Sequence, residues 1–358
     1  MRSFADRLLG WFEEHRRDLP WRHRRDPYAV LVSEVMLQQT TVAAATPYFE
    51  RFLAALPDFE ALASAETETV LELWSGLGYY RRARRLQETA RAVLDEHQGH
   101  FPDRLDQALE LPGIGPYTAG AILSLAHGKA VPAVDGNVGR VLSRHLGEAL
   151  DATRVRDRRR LEEVVLERMP ADRPGPFTEA LMELGALCCR PQGPACDGCP
   201  VRADCIARRD DRVAELPPPR KRSATRSVEA VAAVIRRDDG AVLLRRRPED
   251  AALLAGLWEP PSELVDDGGA TEAVLQQVLD DLGGGAMGEE LFTLRHAITN
   301  RRIRVHVHAC TLTTPPAESP TLAWRHPTEA TDLALTATAA RLVKKLPAAG
   351  PRPRRQGA

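Results

Sequence analysis

The sequence predicts two domains of different class, an all-α domain on the N-terminal side and an α+β domain on the C-terminal side. Three observations predict this. Up to about residue 206, apolar residues recur at helical spacing and are interrupted by Gly/Pro turns such as Leu111-Pro112-Gly113-Ile114-Gly115. From Val228 onward the pattern becomes β-rich, with Asp238-Asp239-Gly240 as a hairpin turn and Val242-Leu243-Leu244 as its return strand. Between them, Ala207 to Arg226 passes from Arg/Asp alternation into Pro217-Pro218-Pro219 and Arg220-Lys221-Arg222, the composition of a linker. A chain of 358 residues with 43% hydrophobic content is long enough for two cores. The expected divisions are 1–206, the linker 207–226, 227–346 and a disordered, Pro/Arg-rich basic tail 347–358.

In chain order, Phe4 to His15 carries Phe4, Leu8, Trp11 and Phe12 at helical spacing behind Ser3 as a cap, with Trp11 and Phe12 expected in the core. Pro20 breaks that helix. The next helix holds Glu34 among Val30, Leu31, Val35, Met36 and Leu37. So apolar a setting raises a carboxyl pKa and keeps it protonated near neutral pH, as a general acid requires. Gly76 and Gly78 make a turn before Tyr79 and Tyr80, and Arg81, Arg82, Arg84 and Arg85 follow. At Gly113 and Gly115 two helices meet in a tight hairpin, where missing Cβ atoms let main-chain N–H groups approach a phosphate. Asp135, in Asp135-Gly136-Asn137-Val138, stands where a helix cap would, and a cap is all it need be unless a second carboxylate works with it.

Cys189, Cys196, Cys199 and Cys205 are spaced C-x6-C-x2-C-x5-C, which signals a metal site. Four thiolates suit a tetrahedral zinc or an iron-sulfur cube equally. Cys188 and Cys310 read as ordinary buried thiols. In the C-terminal domain a helix is expected over Ala273 to Leu282 and further strands over 292–313. The net charge of −1 gives no global basic signature, and the run Arg154, Arg156, Arg158, Arg159, Arg160 reads as a solvated helix face. No apolar stretch is long enough to span a bilayer and no signal-peptide core is present, so a soluble, intracellular protein is expected.

The hairpin LPGIGPYT followed by VDGNV resembles the helix-hairpin-helix DNA glycosylases, and Ser33-Glu34-Val35-Met36-Leu37-Gln38-Gln39-Thr40 resembles the MutY adenine DNA glycosylases, from about Leu19 to Cys205. That resemblance implies excision of adenine mispaired with 8-oxoguanine or guanine, by a monomer acting on double-stranded DNA. Glu34 would protonate adenine N7, ionised Asp135 would stabilise the oxocarbenium-like sugar, and Tyr117 and Asn137 would orient that charge. Tyr117 occupies the place where relatives with lyase activity hold a Schiff-base lysine, so no lyase step is expected. Trp21, Arg22 and Leu37 would border the pocket of the flipped base, Glu179 would read its edge, and Gln39 and Tyr79 would wedge into the duplex. The cysteine spacing is that of a [4Fe-4S] cluster loop over 189–205 in these enzymes, with Arg190 and Arg202 facing phosphates. Beyond Ser227, Gly256-Leu257-Trp258-Glu259-Pro260 resembles the MutT-like (Nudix) domain of the same family. The hydrolase signature is missing: Gln276, Gln277, Asp280 and Asp281 stand where it would fall, so pyrophosphohydrolase activity is not expected. The family reads 8-oxoguanine with a Phe-Ser-His hairpin loop, matched here by Leu294-Arg295-His296, and Arg295 with His296 is expected to supply that contact. A glycosylase for thymine or uracil and a non-catalytic DNA-binding protein are the alternatives, against which stand the Gln38-Gln39 pair and the joint presence of Glu34 and Asp135.

Overall fold

The structure, a computed structural model, describes residues 3–219, 225–251, 254–265, 269–298, 300–330 and 333–346. Arg220, Lys221 and Arg222 of the expected linker and the expected tail 347–358 lie outside the described residues. The chain divides into two compact units, 1–65 with 82–221, and 66–81 with 222–358. The first takes in the linker's beginning: Leu216 is buried there and its carbonyl accepts a hydrogen bond from Arg144 Nε at 2.8 Å. The second takes in Glu66–Arg81, a grouping that no feature of the sequence announced.

Helices follow one another along the first three fifths of the chain: α1 (Phe4–His15), α2 (Pro27–Leu37), α3 (Val42–Ala55), α4 (Phe59–Ser64), α5 (Thr67–Leu73), α6 (Arg81–His97), α7 (Leu105–Glu110), α8 (Pro116–Leu125), α9 (Gly136–Leu146), α10 (Val155–Arg168), α11 (Pro174–Leu187) and α12 (Ile206–Arg209). Polar side chains set the starts. Ser3 closes a capping box with Asp6 on α1, and Asp26, Thr41, Asp58 and Asp135 each accept a backbone N–H at the start of α2, α3, α4 and α9. One core of the first unit joins α1, α9, α10 and α11 through Leu8, Phe12, Val138, Leu142, Val164 and Leu184. Each such fully buried Leu, Val or Phe contributes about 1.5–3 kcal/mol. Phe12 is in that core as expected, whereas Trp11 is half-buried and stacks on His15. Helix α2 is apolar all round and is buried from Tyr28 to Met36, which is why its one carboxylate is out of water.

The second unit holds two sheets, one ordered β4-β1-β6-β5 and one ordered β3-β2-β7. The strands are β1 (Arg226–Ile235), β2 (Val242–Arg246), β3 (Trp258–Glu259), β4 (Ser262–Val265), β5 (Gly285–Ile298), β6 (Arg301–Leu312) and β7 (Leu322–Arg325), with helices α13 (Thr271–Asp280) and α14 (Ala337–Lys345). Strand β1 is buried on both faces. Ala230, Ala232 and Val234 face a core that includes Leu342 of α14, and Val231, Ala233 and Ile235 face one that includes Leu275 of α13. Burial on two sides explains its nearly unbroken apolar run, and its pairing with β6 is parallel.

The expected hairpin is corrected here. The Asp238-Asp239-Gly240 turn forms, with Gly240 in the left-handed region at φ 90°, but a single bridge, Arg236 to Val242, follows it. Strand β2 then leaves β1 and pairs with β7 and β3 in the other sheet.

Candidate active site

Glu34 and Asp135 arrive from different helices into one cavity of about 610 Å³ in the first unit. Tyr117, Asn137, Trp21, Arg22, Leu37, Gln39 and Glu179 line the same space. Glu34 is 7% exposed, and the Tyr117 hydroxyl donates to its Oε2 at 2.5 Å. Burial pushes the Glu34 carboxyl up to about 7, assisted by the negative charges of Asp135 and Glu179 and opposed by the Tyr117 hydrogen bond. Tyr117 itself is pushed well above its ordinary range by burial and by Glu34 beside it, so it stays a neutral donor.

Asp135 is both the cap and the second carboxylate. Its Oδ1 accepts from the Val138 N–H at 2.7 Å and its Oδ2 from Asn137 Nδ2 at 2.8 Å. Burial raises its pKa as well, against those hydrogen bonds and the pull of Arg140. The contrast between the two acids lies in their donors. Glu34 accepts one hydrogen bond from a side chain, whereas Asp135 sits on a helix N-terminus among several donors, the setting that favours an anion. Asn137 is fixed in turn by Arg140, whose Nη2 donates to Asn137 Oδ1 and to the Gly185 carbonyl, both at 2.8 Å, and whose Nε donates to the Cys189 carbonyl at 2.7 Å.

The base-pocket candidates Trp21, Arg22, Leu37 and Glu179 all line this cavity. Trp21 packs edge-on against Phe49, with ring centroids 5.5 Å apart. Arg22 lies over the Phe12 ring and forks onto Glu183, with its Nε 3.5 Å from Glu179 Oε1. Glu183, Arg17, Arg25 and Arg140 escaped the sequence reading. A signal existed for Glu183, which follows Glu179 by four residues on α11 and so shares its face.

Gln39 holds a left-handed backbone at φ 59° just past α2. Arg82 donates to the carbonyls of Val35, Met36 and Gln38 there, so this arginine of the 81–85 run is turned inward rather than solvated. At the hairpin only one glycine is conformationally required. Gly113 has φ 83°, and a Cβ on it would stand 3.1 Å from Arg85 Cβ. Gly115 caps α8 at φ −105°, and a Cβ there would meet nothing within 4 Å, so the expected conformational need does not apply to it. Its bareness leaves the α8 N-terminus open. Tyr79 belongs to the other unit, is 44% exposed and has φ 52°, while Tyr80 beside it is buried, its hydroxyl donating to the Leu335 carbonyl at 3.3 Å.

Cys189, Cys196, Cys199 and Cys205 line one small cavity of about 30 Å³, together with Cys188 and Arg144. Among the described residues no cluster of Cys, His, Asp or Glu stands in metal-ligating geometry. The donor set nevertheless suits a thiolate-bound group: four sulfurs share one apolar cavity and Arg144 Nη1 lies 3.4 Å from Cys189 Sγ. Burial pushes the thiols of Cys189, Cys196 and Cys205 up. Arg190 and Arg202 are exposed, each donating at 2.7 Å to a carbonyl of the loop, of Gly193 and Asp197.

In the second unit the expected recognition loop is corrected. Leu294, Arg295 and His296 belong to strand β5, paired with Val305, Arg304 and Ile303 of β6. Strand alternation sends Arg295 and His296 to opposite faces. His296 is half-buried at a cavity of about 80 Å³, where burial and Arg341 push its pKa down, and Arg295 is exposed on the face that also carries Arg302 and Arg304. Gln276 and Gln277 donate to Asp280 and Asp281 along α13.

With this geometry in view, comparison with known proteins defines the class. Residues 32–166 match the family described as HhH-GPD superfamily base excision DNA repair protein, and residues 231–345 match the NUDIX domain. A solved structure titled as a thermostable thymine-DNA glycosylase is 30% identical, with a TM-score of 0.54 over 58% of this chain and 95% of that one. The chain is 47% identical over 216 residues to a Homo sapiens protein named Adenine DNA glycosylase, covering 58% of this chain and 39% of the human protein. It is 38% identical over 215 residues to the protein of that name in Buchnera aphidicola subsp. Acyrthosiphon pisum, covering 60% and 61% respectively. The chain thus spans about two fifths to three fifths of these two relatives. It carries an HhH-GPD base excision DNA repair domain over residues 32–166 and a NUDIX domain over residues 231–345, and it is similar over about three fifths of its length to proteins named Adenine DNA glycosylase.

Proposed function

We propose that this protein is a monofunctional DNA glycosylase that removes adenine mispaired with 8-oxoguanine or guanine. The observation that carries the reading is the Glu34–Tyr117 hydrogen bond within a cavity that also holds Asp135. Glu34, protonated near neutrality, gives its proton to adenine N7. The C1′–N9 bond breaks with its electron pair leaving on the base, and anionic Asp135 faces the cationic sugar. Asn137 keeps Asp135 oriented. Water adds its oxygen to C1′ and loses a proton to Asp135 or solvent, so the sum is hydrolysis. Tyr117 offers no amine, which supports the absence of a Schiff base and of strand cleavage. Relatives named for adenine support that target over thymine.

Gln39 and Tyr79 are assigned to fill the gap left by the flipped base, and the open α8 N-terminus at Gly113 and Gly115 to grip phosphate. The four cysteines are assigned a [4Fe-4S] cluster, whose contribution when bound is structural, anchoring the loop that follows α11. Lesion contact is assigned to exposed Arg295 rather than to the Arg295–His296 pair. A single-turnover assay on an A:8-oxoguanine duplex tests the whole reading: base release without strand scission is expected, and no release of adenine would overturn it.

A further inference from the structure

Around Arg22 and Glu179 on the lining of the cavity runs a network of Arg and Glu side chains, of which Arg17, Arg25 and Glu183 have no part in the proposed chemistry. Arg25 Nη2 lies 3.1 Å from Glu179 Oε2, and Arg22 Nε 3.5 Å from Glu179 Oε1. Arg22 Nη1 and Nη2 then fork onto Glu183 at 3.2 and 3.1 Å, and Arg17 grips the same carboxylate through Nε and Nη2 at 3.0 and 2.6 Å and through its backbone N–H at 2.9 Å. The Glu183 side chain is 2% exposed. Three guanidinium groups share two carboxylates.

We infer that Glu183 is a positioning residue that sets the selectivity of the cavity for a base bearing an exocyclic amino group, by keeping the two terminal nitrogens of Arg22 off Glu179. The inference rests on the glycosylase reading above. A guanidinium fork matches a carboxylate edge with two parallel N–H donors. In this structure Glu183 occupies the Arg22 fork, and only the longer Nε contact reaches Glu179. Each Glu179 oxygen has two lone pairs, so acceptor capacity remains on the cavity side for an amino N–H. With the charge of Glu183 removed, Glu179 is the carboxylate within reach of Arg22. The fork then turns to it, its oxygens are consumed, and a base amino group finds no acceptor. Burial opposes the charge of Glu183, but Arg17 and Arg22 outweigh it and hold its carboxyl down at about 2, so Glu183 is charged at neutral pH.

The test compares single-turnover excision of adenine and of unsubstituted purine, which lacks the amino group, from otherwise identical duplexes opposite 8-oxoguanine. In the parent, adenine is preferred; in Glu183→Gln the adenine-to-purine ratio falls by about tenfold, the loss of one hydrogen bond to a charged acceptor. Glu179→Gln lowers the ratio similarly, and the double variant lowers it no further. Equal slowing on both substrates, leaving the ratio as in the parent, overturns the inference and marks Glu183 as merely structural. A parent that removes both bases alike overturns it as well. Should Glu183→Gln not fold, Glu183→Asp keeps the charge with a shorter reach: a reduced ratio supports the inference and an unchanged one overturns it. A parent that removes no adenine overturns the glycosylase reading itself, which separates the two failures.

Discussion

At the scale of single residues, the cavity turns on how differently it treats its acids. Glu34 has lost its water and gained one hydroxyl donor, and its carboxyl rises to about 7. A general acid acts while protonated, so excision should be fastest below about pH 7 and decline above it. Tyr117 lowers the Glu34 pKa, so Tyr117→Phe should move that decline to higher pH, read from single-turnover rates across pH. Glu34→Gln should slow excision by about 100-fold or more while duplex binding persists, measured by gel shift beside the rate. Glu183 is the opposite case, its carboxyl depressed from the ordinary 4.5 to about 2 by Arg17 and Arg22. A depressed carboxyl stabilises the fold above its unfolded pKa and loses that stabilisation as pH falls from about 4.5 toward 2. The stability gap between the parent and Glu183→Gln should therefore be full at pH 6 and close by pH 2, measured by denaturant unfolding. Glu34 and Asp135 were legible because a carboxylate in an apolar run and a cap before an apolar helix are local patterns. Glu183 was not, because its partners stand more than 160 residues away.

At the scale of elements, the site depends on how closely α11 approaches α9. A Cβ on Gly185 would come within 2.7 Å of Asn137 Cβ, so this glycine lets the helix carrying Glu179 and Glu183 lie against the start of the helix capped by Asp135. Gly185→Ala should push Asn137 out of place, costing about 1–3 kcal/mol of stability and slowing excision, checked by thermal unfolding and single-turnover rates. The loop after α11 is stapled by Arg144, which donates to the Arg190 and Pro191 carbonyls at 2.7 and 3.3 Å. Under the cluster assignment, Cys199→Ser should lower bound iron and the visible absorption of the purified protein, and Cys188→Ala should leave both unchanged. Helices with caps and strands with alternation were legible at this scale. The second sheet was not: a turn signal says that the chain reverses, not which sheet the returning strand joins.

At the scale of the whole molecule, every residue lining the large cavity lies in the first unit, whereas Glu66–Arg81 group with the C-terminal strands. There Glu68 accepts from Trp258 Nε1 at 2.8 Å, and Tyr80 donates to Leu335. Under the proposed function, a chain ending at residue 219 should still release adenine, should do so no faster opposite 8-oxoguanine than opposite guanine, and should unfold at lower temperature, since that segment loses its partners. Rates on the two duplexes and a melting curve check this. The sequence by itself determined the two fold classes, the helix hairpin at Gly113 and the cysteine set, because each is written in local spacing, whereas the pairing of Glu34 with Asp135 was implied by a family resemblance and by no local spacing. Tertiary structure decided which arginines hold which carboxylates, that Arg295 and His296 part to opposite faces of a strand, and that one internal segment groups with the far end of the chain. Those outcomes depend on contacts between residues distant in sequence, and packing, not local propensity, selects them.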